Sequence, residues 1–100
     1  MESNPDKLFK EIISSGVFTN VNKVKSAYEL AKTAHNNQKR KSGEDFIIHP
    51  LNVASYLNDI GMDDVTVISA LLHDVVEDTN IKISTIRKMF GKQVGTIVDG

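Results

Sequence analysis

Residues 64–78 read DVTVISALLHDVVED, and the middle of that run is apolar on nearly every side. A helix of this kind is stable only when other elements cover it all round, so it belongs at the centre of a domain. Val65, Val67 and Ile68 are β-branched and would also suit a buried strand. Three features favour a helix from 64 to about 76: the length, the Ala70-Leu71-Leu72 centre, and an aspartate, Asp63 or Asp64, placed to cap the first free backbone N–H groups.

The flanking segments supply the cover. Upstream, Pro50 opens a helix of about 50–60 with Val53, Ala54 and Leu57 on one side, Leu51 and Ile60 near it, and Gly61 as its stop. The segment from about Asn20 to Asn37 places Val21, Val24, Tyr28, Ala31 and His35 on one stripe, with lysines and Glu29 on the wet side. Asn4-Pro5 reads as a cap and first turn for a helix over 5–15, carrying Leu8, Ile12 and Ile13 and stopped by Gly16. Between these helices, QKRKSGEDF is charged, contains a glycine and reads as a loop.

Downstream, a helix of about 83–90 buries Ile83, Ile86 and Phe90 and ends at Gly91. The tail, KQVGTIVDG, can start a sixth helix. Its Val94, Ile97 and Val98 form an apolar face with little sequence left to cover it, which predicts a bundle truncated at its C-terminus. That face also offers a surface to a second copy of the chain. The fold class expected is all-α, a bundle of five to six short helices.

Bulk composition limits the function. One hundred residues make one small domain, and a formal net charge of −1 gives no general attraction to DNA, RNA or anionic lipid. Any anion must be held by a local basic cluster. The absence of cysteine excludes a disulfide framework and a thiolate zinc site. The N-terminus lacks the basic-then-apolar pattern of a secretory signal, and no window is apolar enough to span a membrane, so the expected location is the cytoplasm.

The chemistry gathers at the end of the central helix. His73, Asp74, Glu77 and Asp78 are four ionisable groups in six residues, on a helix expected to be buried. Unpaired buried charges cost several kcal/mol each, so a divalent cation bound by imidazole and carboxylate would resolve the electrostatics. His49, before Pro50, reads either as a surface or capping histidine or as a second imidazole ligand brought to His73 by helix packing. His35, on an apolar stripe, reads as structural. Arg40, Lys41 and Ser42 lie in the only dense basic loop, which is either solvated charge or a clamp for a nucleotide.

Taken together, the runs AHNNQKRKSGEDFIIHPLNVA, ALLHDVVEDT and FGKQVGTIVDG resemble the hydrolase domain of the RelA/SpoT homologue family. The similarity extends over about Val24 to Gly100. It implies an HD-domain-like helical bundle, with residues 1–100 the N-terminal portion of a single hydrolase domain. It also implies metal-dependent removal of the 3′-pyrophosphate of (p)ppGpp, giving GDP or GTP and pyrophosphate. On this resemblance His49, His73 and Asp74 are ligands of the metal, usually Mn²⁺, and Glu77 and Asp78 are the acidic pair that orients or activates water. Arg40, Lys41 and Ser42 recognise the guanosine nucleotide, and His35 is not a ligand. The family's fourth ligand is an aspartate downstream of Gly100, which Asp99 is too early to match. Asp45 and Phe46 stand where proline and tyrosine are common. Two other functions fit the same residues: an HD phosphohydrolase acting on another nucleotide, and a non-catalytic regulatory or interaction domain.

Overall fold

The computed structural model describes residues 4–100. Six helices follow one another: α1 (Pro5–Ser15), α2 (Val21–Ala34), α3 (Ile48–Asp59), α4 (Asp64–Asp78), α5 (Ile83–Phe90) and α6 (Lys92–Asp99). Among the described residues the only β-type pairing is an isolated bridge between Lys39 and Asp45. The all-α bundle expected from the sequence is the one observed.

Helix α4 is the centre of the bundle. It packs against α2, α3 and α6, and its Val67, Leu71, Leu72 and Val75 are fully buried. The two aspartates at its start do different work. Asp63 is the N-cap, its carboxylate accepting from the Thr66 N–H at 3.0 Å and from the Thr66 hydroxyl at 2.8 Å. Asp64 reaches backwards, accepting from the N–H groups of Thr19 and Asn20 at 2.9 and 2.6 Å. The start of α4 is thereby fastened to the connection between α1 and α2. Asn20 and Asn4 cap their own helices by accepting from the Lys23 and Lys7 N–H groups.

Several boundaries and faces differ from expectation. Helix α2 ends at Ala34, three residues early, because Asn37 takes a positive φ of 69°, a left-handed conformation that asparagine tolerates. His35 therefore caps the helix, though it remains buried. Helix α3 starts at Ile48, through tight turns in which Ile48 N donates to Asp45 O and His49 N to Phe46 O. Pro50 thus sits inside the first turn, where its missing N–H removes no helical bond. Helix α4 continues to Asp78. Val53 is exposed, whereas Leu51 and Ala54 are fully buried. Helix α6 turns its Val94 and Val98 into the core against α4, leaving only Ile97 of the three exposed. The apolar tail face expected to be bare is therefore largely covered by the chain itself.

Helix α1 is held by a ring stack the spacing did not single out: Phe9 lies on Tyr28 with centroids 4.2 Å apart and planes 11° from parallel. The Tyr28 hydroxyl donates to Asp6 at 2.6 Å, and Lys32 donates to the same carboxylate oxygen at 2.9 Å. These bonds, that of Tyr28 first and that of Lys32 second, hold the Asp6 carboxyl below its usual value of 3.8. Burial, and then the bond to Asp6, push the Tyr28 hydroxyl up.

Two outcomes follow from the packing. Leu71→Ala, at the fully buried centre of α4, should cost about 2–5 kcal/mol in denaturant unfolding. A carboxyl held below its ordinary value stabilises the fold above that value and loses the contribution as pH falls through its folded-state value. Asp6→Asn should therefore flatten the loss of stability below about pH 4, measured by thermal melts against pH, while leaving its slope near neutrality unchanged.

Candidate metal centre

The packing of α3 on α4 decides which side chains meet. His49 is the second residue of α3, and Asp74 lies one residue beyond His73 on α4. His49 Nε2 stands 3.8 Å from one carboxylate oxygen of Asp74, and His73 Nδ1 stands 3.2 Å from the other. Two imidazoles from different helices thus approach opposite oxygens of one carboxylate. The three groups line a cavity of about 400 Å³, whose other walls are mainly apolar groups such as Val53, Leu57 and Ala70, with Thr66 and Ser69 among them.

The burial expected for this end of α4 is not observed. Asp74 is the most shielded, with its side chain 19% exposed, while the side chains of His49 and His73 are 44% and 67% exposed. Glu77 and Asp78 are also exposed. Val75 keeps the inward face of this last turn apolar, so the charged residues fan out around it towards solvent. Uncompensated charge in the core is therefore no argument for a cation here.

What supports a cation is the donor set. Imidazole nitrogens and a carboxylate oxygen suit borderline divalent ions. Donors sharing one ion at about 2.0–2.2 Å lie roughly 3–3.5 Å from each other. The His73–Asp74 separation meets that spacing and the His49–Asp74 separation is slightly longer. Among the described residues, no three of His, Cys, Asp and Glu are gathered closely enough to enclose an ion. The three residues fit as an open part of a coordination sphere, one side of which is left to other ligands.

The remaining expected site residues fall into two places. Glu77 and His73 line a second cavity of about 390 Å³, between the end of α4 and the end of α6, together with Asp99. Asp78 lines neither of these two cavities, and it is the Asp78 backbone carbonyl that engages, accepting from Gln38 Nε2 at 3.5 Å. Arg40, Lys41 and Ser42 are exposed on a tight loop. Arg40 N donates to Glu44 O at 2.9 Å, Gly43 N donates to Arg40 O at 2.8 Å, and Gly43 takes a φ of 87° that favours glycine. Lys39 and Asp45 form an ion pair across its base.

The sequence reading missed the connection between loop and centre. Phe46 lies between two histidines, with its ring centroid 4.6 Å from that of His35 and 6.0 Å from that of His49. The only signal was the position of His35 on an apolar stripe, which fits its structural role.

A family model described as an HD domain matches residues 27–100. The chain belongs to the HD domain family. Some of its relatives carry the hydrolase name expected from the R-K-S-G-E and H-D-V-V-E-D motifs, and others are named GTP pyrophosphokinase. It is 52% identical over 77 residues to a protein of Aquifex aeolicus named guanosine-3′,5′-bis(diphosphate) 3′-pyrophosphohydrolase, covering 77% of this chain and 11% of that protein. It is 41% identical over 80 residues to the bifunctional (p)ppGpp synthase/hydrolase SpoT of Escherichia coli K12, covering 80% and 11%. It is 46% identical over 81 residues to a probable GTP pyrophosphokinase of Mycobacterium leprae, covering 81% and 10%. The chain thus spans about a tenth of the length of these relatives.

Asp74→Ala removes the one carboxylate that both imidazoles approach. Calorimetric titration with Mn²⁺ should show affinity at least tenfold weaker than in the unaltered protein, with the melting temperature in EDTA unchanged; equal affinity would dissolve the centre.

Proposed function

We propose that this domain contributes the metal-binding wall and the nucleotide loop of a hydrolase that removes pyrophosphate from the 3′ position of guanosine alarmones, (p)ppGpp. The observation carrying this reading is the convergence of His49 and His73 on Asp74 beside an open cavity, on a chain whose relatives bear that enzyme's name. The cation is a divalent metal, and Mn²⁺ is our assignment for it.

His49, His73 and Asp74 hold the ion. A bound divalent cation makes water easier to deprotonate and offsets charge building on the phosphates. Glu77, one turn beyond His73, orients the attacking water and takes its proton. Water adds to the phosphorus bonded to the 3′ oxygen, that P–O bond breaks, and pyrophosphate leaves while the nucleoside recovers its 3′ hydroxyl. Asp78 supports the geometry of this helix end. Arg40 stacks its guanidinium on the guanine, and Lys41 and Ser42 bind polar groups of the nucleotide. Such stacking is typically worth about 1–3 kcal/mol.

A second reading, a domain that binds guanosine nucleotides without hydrolysing them, is favoured by the relatives named GTP pyrophosphokinase. Release of pyrophosphate from ppGpp, assayed with Mn²⁺ in the full-length protein, separates the two. Hydrolysis supports the first reading; nucleotide binding without turnover supports the second. In the hydrolase, Arg40→Ala should raise KM by about tenfold or more with little change in kcat, and an unchanged KM would remove the clamp.

A further inference from the structure

We infer that Gln38 is a positioning residue, which ties the exposed 39–45 loop to the acidic end of α4 and so sets the nucleotide's register against the metal centre. The functional half of this inference rests on the hydrolase reading; the mechanical half does not.

Gln38 is engaged through both its backbone and its side chain. Its N–H donates to the His35 carbonyl at 3.0 Å, and its own carbonyl accepts from Phe46 N at 3.0 Å, closing the loop at its base. Its side-chain oxygen lies 3.1 Å from His35 Nδ1. An amide oxygen can only accept, so this contact requires the proton on Nδ1. Its side-chain nitrogen donates to the Asp78 carbonyl at 3.5 Å, one of the carbonyls that the end of α4 leaves without a helical partner. One residue therefore joins the cap of α2, the base of the loop and the end of the helix carrying His73, Asp74 and Glu77.

The aromatic rings reinforce this tie. The His35 ring is buried, with its Nε2 meeting no hydrogen-bond partner among the described residues, so Nδ1 makes its only ring hydrogen bond there. That ring packs on Phe46, whose other neighbour is His49. The loop's second strut thus reaches the α3 side of the centre, while Gln38 reaches the α4 side. Most residues of the loop are exposed, and these two struts tie its base to the helices of the candidate centre.

Two variants test the tie. Gln38→Leu keeps the volume and removes both side-chain bonds; Gln38→Glu keeps the acceptor for His35 and removes the donor to Asp78. In Gln38→Leu, amide exchange at Arg40 and Gly43 should quicken on the order of five- to tenfold, the worth of one or two hydrogen bonds, with Gln38→Glu quickening less. In the full-length hydrolase, KM for ppGpp should rise by a similar factor, with kcat changed less than about twofold and Mn²⁺ affinity unchanged. Unaltered exchange in both variants overturns the anchor whatever the kinetics show. Quicker exchange with an unchanged KM, or with kcat and metal affinity falling together, overturns the positioning role. Quicker exchange in a protein that does not hydrolyse ppGpp supports the anchor and defeats the hydrolase reading alone.

Discussion

The burial of α4 is the constraint on which everything else rests. Its apolar surface is too broad for one partner, so α2, α3 and α6 must all lie against it. Removing that much apolar area from water supplies the main force of folding, at about 25 cal/mol per Å². The same packing carries a consequence for the chemistry. Because α3 packs on α4, the first turn of α3 is set beside the last turns of α4. His49 is brought to Asp74 by core packing, and the hydrogen-bonded fastening of Asp64 to Thr19 and Asn20 fixes the other end of the same helix.

The candidate centre stands at the edge of the core, which reconciles two needs. A ligand set must be held within narrow limits, and it must also remain open to a polar substrate. Val75 is fully buried and anchors the last turn, while His73 and Glu77 project from it into solvent-facing cavities. Asp74 is intermediate, shielded enough for its carboxylate to be oriented by two neighbours and exposed enough to reach an ion. Rigid backbone below and accessible side chains above is the arrangement that metal-assisted hydrolysis requires.

Much of this was legible in the sequence, for reasons that are local. Capping asparagines and aspartates, prolines in first turns and glycines at ends mark helices because backbone N–H and C=O groups must be satisfied wherever a helix stops. Thus α1, α5 and the start of α4 lie where their residues place them. Less legible was anything set by tertiary contact. The entry into α3 precedes Pro50 because turns from Asp45 and Phe46 start the helix earlier. The end of α2 is set by Asn37, whose left-handed backbone no apolar periodicity announces. The ionisable run His73 to Asp78 was expected in the interior because its helix is apolar, yet a helix can be central along its middle and solvent-facing at its end. The motifs singled out His49, His73 and Asp74, which the fold brings together; the electrostatic argument offered for them fails, because this end of α4 faces solvent.

The loop carrying Arg40, Lys41 and Ser42 shows why residue type alone cannot assign a site. Three polar, exposed residues on a turn are ordinarily solvated and contribute little. They acquire a direction only through what holds the turn. Here the base of the turn is built from Gln38 and Phe46, whose side chains lead to the end of α4 and to His49, respectively. A charge on a free loop samples many positions and must be ordered when a nucleotide binds, at a cost in entropy for each residue fixed. A charge on a loop tied at its base to the same two helices that carry His49, His73 and Asp74 has already met part of that cost during folding. The basic turn and the histidine pair therefore share a frame, and in this chain the frame is the packed junction of α2, α3 and α4.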